Sequence, residues 1–120
     1  MSSRNEVVAV VDDDDAVCDS TRLLLEAYGY EVRTYPSGAE FLREAPRIGC
    51  LIVDYRMPGL SGLDFVSELR KRGTSVPTIM ITATSDGSVE RRAAEFGIKR
   101  VLHKPLSNRV LMTAISEELE

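Results

Sequence analysis

Apolar residues along this chain fall into two patterns that alternate with each other. Five short apolar runs are visible, Val7–Val11, Val32–Tyr35, Leu51–Val53, Thr78–Ile81 and Val101–Leu102. The first reads Val-Val-Ala-Val-Val, apolar at every position. A strand with one wet face alternates, so an unbroken run predicts a strand covered on both faces, as in a parallel sheet. Between the runs the apolar positions fall three and four apart, which is helical spacing. Val17, Thr21, Leu24, Leu25 and Tyr28 form one stripe, and Leu63, Val66 and Leu69 a second. Val89, Ala93 and Phe96 form a third, and Val110, Ala114 and Ile115 with Leu111 and Leu119 a fourth. Ser37 and Glu40 stand at capping-box spacing and predict a shorter helix over residues 38–45.

The punctuation agrees with this division. Gly29, Gly73 and Gly97 each fall just after a helical stripe and just before a strand, where a left-handed C-terminal cap wants glycine. Strand and helix therefore alternate five times, through connections too short for anything but right-handed crossovers. The prediction is a single α/β domain over residues 1–120. It is a doubly wound, flavodoxin-like fold with five helices around a five-stranded parallel sheet of order 2-1-3-4-5. No linker, low-complexity segment or internal repeat interrupts it.

Composition narrows the function. A chain of 120 residues can bury a core without disulfides or structural metal. The net charge of −4 argues against a surface that itself grips nucleic acid or an anionic membrane. The basic clusters Arg70-Lys71-Arg72 and Arg91-Arg92 read as solvated helix faces. Cys18 and Cys50 make neither a zinc pattern nor a CxxC pair, so they read as idle thiols in a reducing compartment. The opening Met-Ser-Ser-Arg-Asn-Glu lacks the apolar core of a signal peptide, and no stretch approaches a membrane span. The expected compartment is the cytoplasm.

In a doubly wound fold, ligands bind at the carboxyl ends of the strands, near the point where strand order reverses. The first strand ends in Asp12-Asp13-Asp14-Asp15, the third in Asp54, the fourth in Thr82-Ala83 and the fifth in Lys104-Pro105. Each group alone has a plainer explanation. Asp14 and Asp15 read as caps of the next helix, Thr82 as a β-branched strand residue, and Lys104 as a solvated cation. An EF-hand reading of the acid run fails for want of its glycine and terminal glutamate. Joint placement on one sheet edge is what defeats the separate explanations. Asp12, Asp13 and Asp54 converging there would repel one another unless a cation or proton intervened. Mg²⁺ suits such a site, being a hard ion that takes one or two carboxylates and leaves room for phosphate oxygens. The set fits a carboxylate attacking phosphorus better than it fits acid/base hydrolysis.

These residues match a known pattern. Val11-Asp12-Asp13, the segment from Asp54 to Gly62 (Asp-Tyr-Arg-Met-Pro-Gly-Leu-Ser-Gly), Thr82-Ala83 and Lys104-Pro105 resemble the receiver domain of two-component response regulators. The resemblance covers essentially the whole chain, with four separated motifs in order. Arg56 and the overall pattern look most like receivers fused to helix-turn-helix output domains, the FixJ type. The resemblance implies that Asp54 takes a phosphoryl group from a sensor histidine kinase. It implies that Asp13 binds Mg²⁺ directly, Asp12 mainly through water, and the Arg56 backbone carbonyl as a further ligand beside Asp54. Thr82 and the Ala83 N–H would then bond the phosphoryl group, and Lys104, before a cis Pro105, would pair with one of its oxygens. Met57, Pro58 and Gly62 would shape the acceptor loop, while Arg56 and Thr84 would tune dephosphorylation.

The domain would assist its own phosphorylation and dephosphorylation without being an enzyme in the ordinary sense. Its partners would be the kinase, an output domain of its own or a separate one, and a second copy on phosphorylation. Any nucleic acid would be bound by the output module, and no membrane is implied. Many receivers carry an aromatic residue three positions before the lysine, and here that position is Val101. Tyr55 and Phe96 read as packing residues, and His103 as an exposed strand-end residue. Two rival readings remain. A haloacid-dehalogenase-type phosphatase would want a second aspartate where Arg56 stands, and room for a cap domain. A receiver that binds partners without phosphate would not need the complete acid, threonine and lysine set.

Overall fold

The structure, a computed structural model, describes residues 6–119. Met1–Asn5, read above for a leader, lie outside the described residues, as does Glu120. In chain order the elements are β1 (Val7–Val11), α1 (Asp15–Ala27), β2 (Glu31–Tyr35), α2 (Gly38–Glu44) and β3 (Cys50–Asp54). There follow α3 (Gly62–Lys71), β4 (Thr78–Thr82), α4 (Ser88–Ala94), β5 (Arg100–His103) and α5 (Asn108–Leu119). All neighbouring strands are parallel, in the order β2-β1-β3-β4-β5. This is the predicted flavodoxin-like topology.

Burial on both faces explains the unbroken apolar strands. Ala9, Val11, Leu51 and Val53 point to one side, where they meet Phe41, Phe65, Val66, Leu69, Val89 and Ala93 of α2, α3 and α4. Val8, Val10, Cys50 and Ile52 point to the other, against Cys18 and Leu25 of α1 and Leu111, Ala114 and Ile115 of α5. The period of two along a strand distributes one apolar run between two cores. At the sheet edge, β2 needs less cover, and Glu31 and Arg33 alternate outward.

Local chemistry sets the helix ends. Asp14 caps α1 by accepting from the backbone N–H groups of Ala16 and Val17, and Ser37 caps α2 by accepting from Glu40 N. Gly29, Gly73 and Gly97 have φ of +93°, +81° and +79°, the left-handed backbone their positions require. Behind each, two bonds close the helix: Gly29 N to Glu26 O with Tyr30 N to Leu25 O, and the equivalent pairs after α3 and α4.

Three expectations need correction. Tyr28 and Val110 do not join the buried stripes but are 56% and 46% exposed. Tyr28 is the C-cap of α1, past its last turn, and Val110 lies in the first turn of α5, where neighbouring Leu111 takes the inward position. Arg70 is more than a solvated face: its guanidinium donates to Phe96 O and Thr74 O, joining the C-terminal ends of α3 and α4.

Candidate functional site

The carboxyl ends of β1, β3, β4 and β5 lie along one edge of the sheet, so each strand delivers one residue to a common place. β1 carries the chain into Asp12 and Asp13, and β3 ends on Asp54. Carboxylate oxygens of Asp12, Asp13 and Asp54 all lie within 4.8 Å of one another. Asp13 is exposed, whereas Asp12 and Asp54 are 6% and 7% exposed. Lys104 Nζ stands 3.2 Å from Asp54 Oδ1, the one ion pair among the described residues that reaches into the acid cluster.

Backbone bonds fix these positions. Asp12 N donates to Tyr35 O and Tyr55 N to Ile81 O, which lock the acids on either side of the β1–β3 boundary. Lys104 N donates to Thr82 O at 2.9 Å, so the lysine and the threonine share one strand-end contact. Thr82 is 2% exposed and its hydroxyl accepts from Thr84 N at 3.0 Å. The acid run holds itself in shape, since Asp12 Oδ1 accepts from Asp14 N at 2.9 Å. Arg56 and Ala83 lie exposed in the loops directly after β3 and β4. The Lys104–Pro105 peptide is cis, as the resemblance implied.

Electrostatics of the cluster follow from burial. Loss of water raises the Asp54 carboxyl above the usual carboxylate range; Lys104 opposes this, and Asp13 adds to it. Asp12 is also raised, first by burial, with the Asp14 N–H opposing and the Asp54 charge adding. Three carboxyl groups thus face one ammonium, which leaves room for a proton or a further cation. Three hard oxygen donors in that condition fit a divalent cation such as Mg²⁺. The cysteines stand apart from this chemistry. Burial raises the Cys18 thiol to about 11 and the Cys50 thiol to about 12, and both remain free.

The loop after Asp54 is shaped by Gly62. A Cβ on Gly62 would sit 2.5 Å from Asp54 O and 3.0 Å from Tyr55 Cα. Gly62 N donates to Tyr55 O at 2.8 Å, closing residues 55–62 into a compact turn. Met57 anchors that turn in the core at 8% exposure, and Pro58 stays outside.

Around the site lie contacts that spacing did not announce. Tyr55 packs partly into the core, as expected, yet its hydroxyl accepts from Arg92 of α4 at 2.9 Å. Arg92 is thus engaged and not merely solvated. His103 is an exposed strand-end residue and pairs with Glu90 of α4 at 2.7 Å. Val101 and Phe96 pack against the core cluster that includes Met80 and Val89. Such pairs join residues up to 37 positions apart, and no local pattern marks them.

Comparison with known proteins agrees with this geometry. Residues 8–116 match the family described as "Response regulator receiver domain". The transcriptional regulatory protein FixJ of Azorhizobium caulinodans is 37% identical over 114 residues, 93% of this chain and 54% of that protein. The response regulator protein TodT of Pseudomonas putida is 34% identical over 122 residues, covering all of this chain and 54% of its own. The chain thus spans about half the length of these curated relatives. Among solved structures, the chemotaxis protein CheY4 of Vibrio cholerae superposes with a TM-score of 0.89 at 27% identity, covering 95% of this chain and 98% of that one.

Proposed function

Since the chain belongs to the family of response regulator receiver domains, we propose that Asp54 is its phosphoacceptor and that residues 1–120 form one receiver domain. The observation that carries this reading is Asp54 itself: a nearly buried carboxylate, 3.2 Å from an ammonium and within 4.8 Å of two further acids. Asp12, Asp13, Asp54 and the Arg56 carbonyl would hold Mg²⁺. Bound there, the ion would offset the negative charge of acids and phosphoryl oxygens alike.

The chain's own residues do the rest. Asp54 Oδ supplies the attacking oxygen, and β3 holds it at the sheet edge. Lys104 pairs with the oxygen that approaches and later with the phosphoryl group. Thr82 gives up its bond from Thr84 N and turns its hydroxyl, with the Ala83 N–H, toward the new group. No proton has to be removed from the acceptor, because the attacking carboxylate is already ionised when it reacts. The same groups assist hydrolysis of the aspartyl phosphate, with Arg56 and Thr84 bordering the path of water.

The donor would be a phosphohistidine on a sensor kinase. Its P–N bond would break as the Asp54 O–P bond forms, and its imidazole would leave with the bonding electron pair and take up a proton. A cleft of about 450 Å³ with a mixed lining, including Asp12 and Lys104 of the site and Leu24, Ile81, Leu106 and Leu111, would give the donor a seat. Phosphorylation adds about −1.5 to −2 charge and three acceptor oxygens. To turn the switch from almost off to almost on, it must favour the active form by about 5.5 kcal/mol. The output would be transcription, through a domain beyond this one, with homodimer formation as its trigger and the cytoplasm as its setting. Among the described residues no helix is long and apolar enough to cross a membrane.

Beryllofluoride with Mg²⁺ tests the reading directly. Wild type should change its amide spectrum and its elution volume, and Asp54→Asn should do neither. An unchanged wild type, or an equal change in the variant, would refute it. Turnover of an aryl phosphate that disappears in Asp54→Asn would favour the phosphatase reading instead.

A further inference from the structure

We propose that α4 is tied to the phosphoryl pocket from two sides, through Arg92 to Tyr55 and through Glu90 to His103, and that these four side chains position α4 according to the state of the acceptor. The proposal rests on the reading of Asp54 as phosphoacceptor.

Tyr55 directly follows Asp54, and its hydroxyl accepts from Arg92 Nη1 at 2.9 Å. His103 directly precedes Lys104, and its Nε2 meets Glu90 Oε2 at 2.7 Å. Both anchor residues are fixed to the site by backbone. Tyr55 N donates to Ile81 O at 2.8 Å, while His103 pairs in register with Thr82, whose carbonyl accepts from Lys104 N. A displacement of Asp54 or Lys104 toward a phosphoryl group therefore moves a residue that holds α4.

Polar bonds also hold the two ends of the helix, Ser88 N to Asp86 Oδ1 at its start and Arg70 to Phe96 O just past its end, but neither reaches the pocket. It is only seven residues long, and its N-cap, Gly87, has no side chain to bond the first turn. A helix of two turns is not stable alone, so tertiary contacts decide where it lies. Its buried contacts are Val89 and Ala93, small apolar groups whose packing is non-directional. The two polar ties are directional and supply what apolar packing lacks. Glu90 adds a constraint of its own, because its Oε1 is buried with no hydrogen-bond partner. His103 is the basic partner that holds this carboxylate. Val101 packs against the core cluster that holds Val89 and Ala93, and a β-branched valine has no ring to swing.

Because the ties are partly exposed, they contribute little to stability and their removal should leave the fold intact. The test compares wild type with Tyr55→Phe, His103→Ala, the double variant and His103→Gln, which keeps a donor for Glu90. Bound beryllofluoride is read by its ¹⁹F resonance, and α4 by the amide shifts of Val89 and Ala93. All proteins should bind beryllofluoride within about threefold of wild type. The α4 shifts should fall to about half in Tyr55→Phe and in His103→Ala, to about a quarter or less in the double variant, and stay near wild type in His103→Gln. A double variant that binds beryllofluoride and still shows the full α4 shift would overturn the coupling while leaving Asp54 as acceptor. His103→Gln failing as fully as His103→Ala would remove the Glu90 bond from it. Wild type showing no bound ¹⁹F signal would overturn the acceptor reading and the coupling together.

Discussion

Replacing Gly62 with alanine separates a site held by its loop from a site that merely neighbours it. The added Cβ would lie 2.5 Å from Asp54 O, 3.0 Å from Tyr55 Cα and 3.2 Å from Asp54 C. All three are backbone atoms, so no flexible side-chain tip can yield. Ordinary contact begins near 3.4 Å, so either α3 or the acceptor's own peptide must retreat by about 0.9 Å. Overpacking of this kind costs about 1–3 kcal/mol, and the stiffer unfolded chain of alanine returns about 0.4–1 kcal/mol. A net loss of about 1–2 kcal/mol corresponds to a fall in Tm of about 3–10 °C for a domain of this size. Displacing a reacting group by about 1 Å costs on the order of 100-fold in rate, so phosphorylation by a small phosphodonor should slow far more than the melting temperature suggests.

Gly59→Ala is the matching control. Gly59 has φ of +78° but nothing within 4 Å of its would-be Cβ. Alanine there costs about 1–2 kcal/mol of backbone strain, without pressing on Asp54. The two variants should therefore melt alike and react differently. Phosphorylation is followed by mass shift, with Mg²⁺ affinity measured in parallel. A Gly62→Ala protein that phosphorylates as fast as Gly59→Ala would refute the claim that this glycine positions the acceptor.

Other outcomes follow from the charge and burial of the same groups. The Asp12 and Asp54 carboxyls are raised in the fold, so the native state binds more protons than the unfolded chain just above pH 3.8. Metal-free stability should then fall as pH rises through their folded values, and Asp54→Asn should melt higher than wild type in EDTA at pH 7, with the gap closing below pH 3.8. A variant that melts lower at pH 7 would contradict this. Mg²⁺ at tenfold over a millimolar Kd should stabilise wild type by about 1.4 kcal/mol in a thermal melt, and Asp13→Asn should lose most of that gain. Lys104→Ala removes a cation that competes for Asp54, so Mg²⁺ should bind about two- to fivefold tighter by titration, less at high salt. Cys18 and Cys50, 5% and 0% exposed with raised thiol values, should resist a disulfide reagent until the protein unfolds.

The fold was largely legible because its signals are local. Val7–Val11 announces a doubly covered strand, and Gly29, Gly73 and Gly97 announce left-handed turns, without reference to any distant residue. The site was legible at one remove. Knowing that four strand ends share an edge brings Asp12, Asp54, Thr82 and Lys104 together, although the sequence separates them by as many as 92 positions. What spacing could not show depends on side-chain reach. Tyr28 and Val110 fit their stripes by period, yet both fall outside the buried span of their helices. The Arg92 and Glu90 ties to Tyr55 and His103 depend on how α4 sits over β5 and the acceptor loop, which no periodicity encodes.

Those two ties bear on how a carboxylate under electrostatic stress becomes a switch. Burial raises Asp54 in spite of Lys104, so the unmodified pocket already favours any arrival of positive charge. A bound cation would relieve that stress, and on the proposed reading a phosphoryl group would restore negative charge while adding oxygens for Lys104 and Thr82 to meet. Lys104 is 41% exposed at its side chain and has room to move, whereas Thr82 is 2% exposed and is held by Thr84 N. Any part of that response carried by backbone would run along β5, which is only four residues long and half-buried. His103 lies at the end of that strand with α4 attached to it, and Tyr55 lies on the opposite side with α4 attached there as well. A helix held at both sides of the pocket responds to the difference between the two motions. On the proposed coupling, a change at Asp54 would reach α4 through Tyr55 and His103, and no aromatic residue at Val101 would be required.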